Sequence, residues 1–476
     1  MKKRVVVTSI ALIASAILFV AGYFIFIADP PERQIDNAAE LYNNAVKPIY
    51  TANNLAFSVS KIRKTTVGKN VFNEQVQQTV NCFGLSSTAP EVSTKETSSI
   101  GTHSVSISEH YKDGIAYVQV DKGLFSCAIS FEDYFARLSP AVLLDTDLYG
   151  CITGIDDGRS YTIAFRQPTA PELWMAKAES GFLDAWGTAH IDHDGQLTQS
   201  TYSITYTQKN ATIELTVIIE PISSAPETNL PEDISLYKPI TYLDGPRTLE
   251  RATGYLLQAE NVTANYNDSI YFQAFGEERT QQITLHSSNT AGSYAALMTT
   301  ETSLSNEAHL DQSFTNTKSE LFMNDQYRIS ENGDDFIAKS EIETDDMRTY
   351  CQNLLIATVM LPQHIADADI QEADSTLRIT FSATEDFAQI ISSNACQTMY
   401  QNPELLTELS HSVSTLVLDC YLEIDRHTAF PVASGITYTG RYTMEELSYE
   451  LSFLAEQSYD ILSQIADIEI QKAAGA

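Results

Sequence analysis

Tyr161-Thr162-Ile163-Ala164-Phe165 and Leu377-Arg378-Ile379-Thr380-Phe381 decide the fold, because each opens the same ordered series of segments. In both places the pattern predicts a strand, an apolar helix, a hairpin and a further strand. Self-similarity in a fixed order is the mark of a repeated unit. The sequence therefore predicts two related domains, one following the other along the chain.

The similarity extends to both sides of these segments. Its separation increases from 207 residues near the start to 232 or 233 near the end, as loop insertions in a duplicated domain would produce. The further matched pairs are Leu55 with Val262, Val76 with Ile283, residues 111–117 with 321–327, 191–192 with 424–425, and 204–206 with 436–438.

An almost wholly apolar run covers residues 5–28, behind a short basic stub at residues 1–4. Its 24 residues are long enough to span the hydrocarbon core of a bilayer. The basic stub is expected to stay in the cytoplasm, so the rest of the chain faces outward from a single-pass anchor in the cell membrane. A cleaved signal peptide is the alternative, but the run ends in bulky residues where a cleavage site has small ones.

Prolines divide the exported part of the chain. Five of them fall between Pro221 and Pro246, which predicts a linker at residues 223–246 between a first domain at 29–222 and a second at 247–476. Each domain begins with an amphipathic helix, residues 35–50 in the first and 248–260 in the second, followed by Thr-, Val- and Tyr-rich strand pairs.

Six cysteines in an exported chain favour disulfide bonds. Two triplets share spacings of 45 and 24 residues, but they lie 269 residues apart, which disagrees with every other match, so we treat this as coincidence. We expect bridges between Cys82 and Cys127 and between Cys396 and Cys420, although six cysteines allow fifteen connectivities. The two remaining cysteines are Cys151 and Cys351.

An aromatic ridge supplies the candidate ligand-binding residues. Trp174, Ala178, Phe182 and Trp186 recur every four residues on a helix predicted to begin near Thr169, and the three aromatic residues are the candidates. The second domain repeats the helix with its own apolar residues. Such a ridge also fits simple core packing, so both interpretations stay open. The second set of candidate wall residues is Phe387, Ile390 and Ile391.

The order of segments resembles that of the periplasmic lipoprotein carriers of the LolA-like and LppX-like type. The hairpin at residues 191–197, the strand at 202–206 and the closing strand at 213–221 carry this resemblance, with residues 424–427 and 435–438 as the second copy. The resemblance implies an α+β fold: after the transmembrane helix, two tandem, curved antiparallel β-sheet half-barrels with packed helices. It also implies a cavity for acyl chains.

The composition and the scattered polar residues narrow the function. A formal net charge of −33 argues against binding to nucleic acid. His190 and His193, beside Asp192 and Asp194, resemble metal ligands, but Asp194-Gly195 between apolar runs is typical of a hairpin turn. No motif predicts a catalytic residue, a metal site or a cofactor.

We therefore expect a non-enzymatic, membrane-anchored extracytoplasmic binding protein for a hydrophobic or amphiphilic ligand, such as a lipid or a lipoprotein acyl chain. A structural or signalling ectodomain that binds other envelope proteins is the first alternative. An extracellular hydrolase is the second, although nothing selects a carboxylate pair from 62 acidic residues.

Overall fold

The computed structural model describes the chain from residue 33 to residue 475 with internal gaps. The residues left out of this range are 69, 122, 139–143, 170–179, 209–210, 223–230, 232, 274–275, 291–292, 307–312, 342–344, 350, 352–364, 374–375, 384–413, 426–427, 445–446 and 462–464. Among the described residues, no helix combines the length and the apolarity needed to cross a bilayer, and the predicted span at residues 5–28 lies outside them.

Two large sheets and four α-helices make up most of the described chain. The helices are α1 Ala38–Tyr50, α2 Phe131–Leu138, α3 Gly245–Gln258 and α4 Ile465–Gly475. The first sheet contains β1 Arg33–Ile35, β2 Leu55–Val67, β3 Asn70–Phe83, β4 Glu91–Ile100, β5 His103–Lys112, β6 Ile115–Val120, β7 Gly123–Ala128, β8 Tyr149–Asp156, β9 Ser160–Pro168, β10 Ser180–Asp192, β11 Leu197–Gln208, β12 Ala211–Pro221 and β13 Lys238–Pro239. The second contains β14 Asn261–Phe272, β15 Glu277–Thr290, β16 Ser293–Asn306, β17 Phe314–Met323, β18 Gln326–Glu331, β19 Ile337–Glu341, β20 Ile365–Glu372, β21 Thr376–Ala383, β22 Ser414–Asp425, β23 Pro431–Met444 and β24 Leu447–Asp460.

Both sheets follow one strand order. In the first, β8 to β12 lie side by side and are followed by β2 to β7; in the second, β20 to β24 are followed by β14 to β19. The closing strand of each run pairs with the opening one, β12 with β2 and β24 with β14. The segments matched in the sequence therefore lie on strands that hold equivalent positions in the two sheets.

The first matched pair needs a correction of two residues. Phe57 lies opposite Val80 in the first sheet, and Val262 lies opposite Ser287 in the second. Val76 and Ile283 are matched at a separation of 207 residues, and the same separation matches Val80 with Ser287. Their partners on the neighbouring strands are Phe57 and Val262, so the structure matches Phe57, not Leu55, with Val262. The reason is the turn, because four residues separate β14 from β15 and only two separate β2 from β3.

One face of the first sheet is covered by helices, and we call it the inner face. Helix α1 packs on β8 to β11, and α3 packs on β4 and β5. Strand pairing shows that both helices lie on the same side, because one unbroken row of paired residues connects their contacts. That row consists of Ile163, Ala189, Ser200, Ile219, Val59, Gln78 and Glu96.

Helix α3 also joins the two sheets, since it packs on β20 and β23 of the second sheet. Tyr255 of α3 contacts Phe72 of the first sheet and Phe430, which directly precedes β23 of the second, with ring centroids 5.9 and 5.0 Å away. Phe72 and Phe430 are themselves 4.7 Å apart. Helix α4 packs on β14 to β17, and so covers the part of the second sheet that corresponds to the part covered by α3 in the first.

The predicted aromatic helix is wrong from residue 180 onward, where the chain forms β10. Ala185, Gly187 and Ala189 alternate on the inner face, and a side chain at Gly187 would collide with Leu144, which packs there beside α1. The backbone groups pair with β9 and β11 on both sides. Hydrogen bonding to strands on both sides favours a strand here more than the four-residue spacing of the aromatic residues favours a helix.

The expected disulfide between Cys82 and Cys127 is also wrong, and both thiols are free and buried. Cys82 is on β3 and Cys127 on β7, with three strands between them. At about 4.8 Å per strand the two are roughly 19 Å apart, whereas a disulfide needs Cα atoms within about 7 Å. Cys420 is likewise a free, buried thiol, and its expected partner Cys396 lies outside the described residues.

The hairpin interpretation of residues 192–195 is confirmed. β10 ends at Asp192, β11 begins at Leu197, and the Gly195 N–H donates to the Asp192 carbonyl over 3.0 Å. Gly195 has a φ of +77°, which a residue without a side chain adopts at little cost.

Candidate functional site

Charged side chains gather on the inner face of the first sheet, where apolar residues would be expected. Alternation along the strands places Lys61 and Arg63 of β2 on this face, together with Glu74 of β3, Glu96 of β4 and Glu109 of β5. The three glutamate side chains are 7% exposed or less. Buried carboxylates are costly unless they are paired, so their partners define the site.

Helix α3 supplies most of these partners. Arg247 and Arg251 are four residues apart and therefore lie on the same side of the helix. Arg251 binds Glu74 through two hydrogen bonds, Nε to Oε1 over 2.7 Å and Nη2 to Oε2 over 2.9 Å. Arg247 binds Glu96 in the same forked manner, over 3.1 and 3.2 Å. Such two-point contacts fix both the position and the orientation of the partners.

Glu109 connects this cluster to helix α2. Its Oε1 accepts from Arg247 over 2.7 Å, and its Oε2 accepts from the Tyr134 hydroxyl over 3.1 Å. Arg137 of α2 lies 3.7 Å from the same carboxylate and also pairs with Asp244, just before α3. The ion pairs therefore hold α2 and α3 against the sheet as one unit.

Arginines lower the pKa of two of these carboxyl groups, Glu74 and Asp244. Burial by itself would raise the pKa of Glu74, but Arg251 more than offsets this and holds that pKa below its usual value. The pKa of Asp244 is lowered in the same way, with Arg137 as the main opposing charge. A general acid needs a carboxyl whose pKa is raised, so the neighbours of these two residues work against that role.

A cavity of about 400 Å³ lies between the inner face and the two helices. Five cationic and four carboxylate side chains line it, so its formal net charge is +1 in a chain whose net charge is −33. Apolar side chains complete the wall, and the lining is therefore mixed instead of wholly apolar. The apolar and aromatic members are Val76, Leu138, Tyr206 and Leu215.

Lys61 differs from the other charged residues of the cavity. Its Nζ forms no hydrogen bond or ion pair with any residue that the structure describes. Burial lowers the pKa of Lys61, opposed by the charges of Glu96 and Glu74 and assisted by those of Arg247 and Arg251. The ammonium group thus stands in the cavity wall without a partner of its own.

The second sheet does not repeat the charged cluster. Following the strand pairing from one sheet to the other, the counterparts of Lys61, Arg63, Glu74, Glu96 and Glu109 are Tyr266, Asp268, Gln281, Met298 and Phe322. The second sheet therefore has an acid, Asp268, where the first has the cation Arg63. Burial raises the pKa of Asp268 to about 7. The two sheets share a topology but present different chemistry on equivalent strands.

The predicted wall residues are only partly described. Trp174, Phe387, Ile390 and Ile391 lie outside the described residues. Phe182 pairs with Tyr206, whereas Trp186 pairs with Ser203, because a bulge between residues 182 and 184 shifts the register. Phe182 is therefore on the cavity side, and Trp186 is on the opposite face, where Arg166 lies 5.4 Å from its ring centre.

The sequence analysis missed the charged residues that do line the cavity. On β2 both faces carry polar side chains, as in Lys61-Ile62-Arg63-Lys64, so alternation does not reveal an inner face. The available signal is in α3, where Arg247, Arg251 and Tyr255 recur every four residues beside apolar neighbours. Arginines at this spacing on a buried helix require acidic partners elsewhere in the chain.

Comparisons with known proteins give no family. No family model matches the chain, and no curated protein matches its sequence. Similar solved structures include LprF from Mycobacterium bovis, with 9% identity, a TM-score of 0.27, and coverage of 46% of this chain and 92% of that one. A DUF1329 family protein from Desulfovibrio piger has 12% identity, a TM-score of 0.18, and coverage of 42% and 99%. Kievitone hydratase from Nectria haematococca has 8% identity, a TM-score of 0.13, and coverage of 88% and 92%. At these TM-scores the matches carry no argument about function.

Proposed function

We propose that this chain is a membrane-anchored, extracytoplasmic binding protein that holds a small amphiphilic molecule in the cavity of the first sheet, without catalysing a reaction. The observation that supports this most directly is the mixed lining of that cavity. Val76, Leu138 and Leu215 offer apolar surface, while arginine-bound carboxylates and Lys61 offer a polar end.

The size of the cavity suits such a ligand. About 400 Å³ falls at the lower end of the range of small-molecule sites, roughly 300–1,000 Å³. Each methylene removed from water contributes about 0.8 kcal/mol, so a short alkyl chain is enough for measurable binding. The ion pairs of α2 and α3 with the sheet arrange the polar groups before the ligand arrives, which reduces the entropic cost of binding.

Filling the cavity tests the proposal. In Val76→Trp an indole projects from the inner face of β3 into the cavity, whereas in Gln75→Trp the same side chain is on the exposed outer face of that strand. We expect the purified full chain to bind hexyl phosphate or hexanol in calorimetric titrations. The Val76→Trp variant should lose this binding and the Gln75→Trp variant should keep it.

Two outcomes contradict the proposal. One is that none of the hexyl compounds binds to the wild-type chain. The other is that Val76→Trp, folded by circular dichroism, binds as tightly as Gln75→Trp, which would place the ligand elsewhere. Crosslinking to a discrete envelope protein with no small molecule bound would instead favour a structural or signalling ectodomain.

A further inference from the structure

The charge of the cavity is unbalanced on the cationic side. Glu74, Glu96, Glu109 and Asp244 all accept hydrogen bonds from the three arginines of α2 and α3, and Arg63 of β2 brings the arginines of the lining to four, one for each carboxylate. Lys61 projects from the sheet into the same cavity and has no bonded partner among the described residues. The cluster as a whole therefore provides one positive charge more than it neutralises.

An unpaired ammonium in a cavity wall is unfavourable unless a counter-charge binds to it. Removing a charge from water costs several kcal/mol when no counter-charge replaces the lost hydration. Glu74 and Glu96 are near enough for their charges to act on Lys61, but their oxygens hydrogen-bond to Arg251 and Arg247 and not to the ammonium. A bound anion supplies the missing counter-charge directly.

The apolar part of the wall begins next to Lys61. Lys61 pairs with Val217 of the neighbouring strand β12. Two residues further along, Arg63 pairs with Leu215. Leu215 and Tyr206 both line the cavity, and Phe182 pairs with Tyr206 on the same face. A molecule with an anionic end at Lys61 thus finds apolar surface within a few ångströms for its other end.

We propose that Lys61 binds the oxyanion head group of the ligand, of the phosphate-monoester or carboxylate class, so that the first sheet selects anionic amphiphiles over neutral ones. This inference rests on the proposed function. It applies to the first sheet alone, because Tyr266 and Asp268 stand at the positions of Lys61 and Arg63 in the second. Neither residue offers the head group a positive charge, and Asp268 repels it when ionised.

The test compares two lysines of one strand. Lys61→Met removes the ammonium from the inner face, and Lys64→Met removes one from the outer face, where Lys64 is 43% exposed and pairs with Glu214. Wild type and both variants, as full chains, are titrated with hexyl phosphate, hexanol and inorganic phosphate. Thermal unfolding of each variant confirms that it folds.

We expect Lys61→Met to bind hexyl phosphate about tenfold to a hundredfold more weakly than wild type, the loss typical of a hydrogen bond to a charged group. Its affinity for hexanol should not change, and Lys64→Met should resemble wild type with every compound. Weak but Lys61-dependent binding of inorganic phosphate would identify the anion itself as the recognised group, independent of a lipid tail.

The inference and the proposed function fail in different ways. Equal binding of hexyl phosphate by wild type and a folded Lys61→Met variant overturns the role of Lys61 and leaves the amphiphile site in place. Equal affinity of the wild type for hexyl phosphate and hexanol does the same. Absence of binding by both hexyl compounds overturns the proposed function, and the inference with it.

Discussion

The ion pair between Arg251 and Glu74 offers a direct test of how α3 is held on the first sheet. Replacing Arg251 by Met keeps most of the side-chain volume and removes the charge. Glu74, 7% exposed, then keeps the Tyr255 hydroxyl as a hydrogen-bond donor at 2.9 Å and the more distant charge of Arg63, but loses both hydrogen bonds from Arg251. We expect the Arg251→Met variant to be markedly less stable than the wild type.

The magnitude follows from the burial of the two partners. Breaking a buried ion pair from one side typically costs 3–5 kcal/mol, because an uncompensated charge remains. Arg251 is 23% exposed and so retains some contact with water, which places the expected loss near the lower limit, at about 3 kcal/mol. Removing both charges in Arg251→Met/Glu74→Met should bring the loss down to about 1 kcal/mol.

Urea unfolding of the full chain, followed by far-ultraviolet circular dichroism, measures these differences. Because the chain contains two sheets, the curves are fitted with as many transitions as they show. The matched control is Lys64→Met, which breaks an exposed pair with Glu214 on the same strand and should cost less than about 1 kcal/mol.

Two results would refute this reasoning. The first is an Arg251→Met variant that is no less stable than Lys64→Met, which would mean that the pair is not buried as described. The second is a double variant that loses the sum of two large single effects, since contacting partners are expected to couple by about 2 kcal/mol.

The remaining predictions concern pH and the membrane. Because the folded-state pKa of Glu74 is below its usual value of 4.5, the wild type should lose stability as the pH falls below 4.5, and the double variant should lose less. The raised pKa of Asp268 works in the opposite direction: stability should fall as the pH rises from 3.8 to about 7, and Asp268→Asn should remove this fall, at most about 4 kcal/mol, in urea unfolding series. The lowered pKa of Lys61 predicts that calorimetric affinity for hexyl phosphate declines at a pH below the usual lysine value of 10.5, whereas Lys61→Met shows no such decline. Deleting residues 5–28 should shift the chain from the membrane fraction to the soluble fraction, and an unchanged distribution would contradict the anchor.

The sequence alone was enough to predict the repetition, because strand pairs and tight turns are local features. Residues 113–114 and 324–325 form the turns of equivalent hairpins, β5 with β6 and β17 with β18; the match of 111–117 with 321–327 predicted both hairpins but placed the second turn one residue too early. Positive φ at Asp113, Asn324 and Asp325 explains why Asp and Asn recur there, since these residues tolerate the left-handed region.

Features set by distant strands were beyond such reasoning. Residues 180–192 have a helical spacing of aromatic residues, yet they form a strand, because β9 and β11 are present to pair with them. The Cys82–Cys127 bridge was expected from cysteine count and export, but the number of strands between the two thiols excludes it. In both cases the deciding contact joins residues that no local pattern relates.

The cavity could not be predicted from the sequence because its charged residues come from both predicted repeats. Arg247 and Arg251 belong to the helix that opens the second repeat, whereas the glutamates they bind belong to the sheet of the first. Neither repeat, considered by itself, contains both halves of the cluster. Helix α4 takes the corresponding place on the second sheet, where strand pairing puts Gln281, Met298 and Phe322 at the positions of the three glutamates. The glutamate on the same face of β17, Glu320, bonds to Lys318 and Tyr327 of its own sheet and not to an arginine of α4. The first sheet therefore obtains two of the arginines of its charged cavity from the helix that follows it in the chain, so a pattern sought within either predicted repeat does not reveal the cluster.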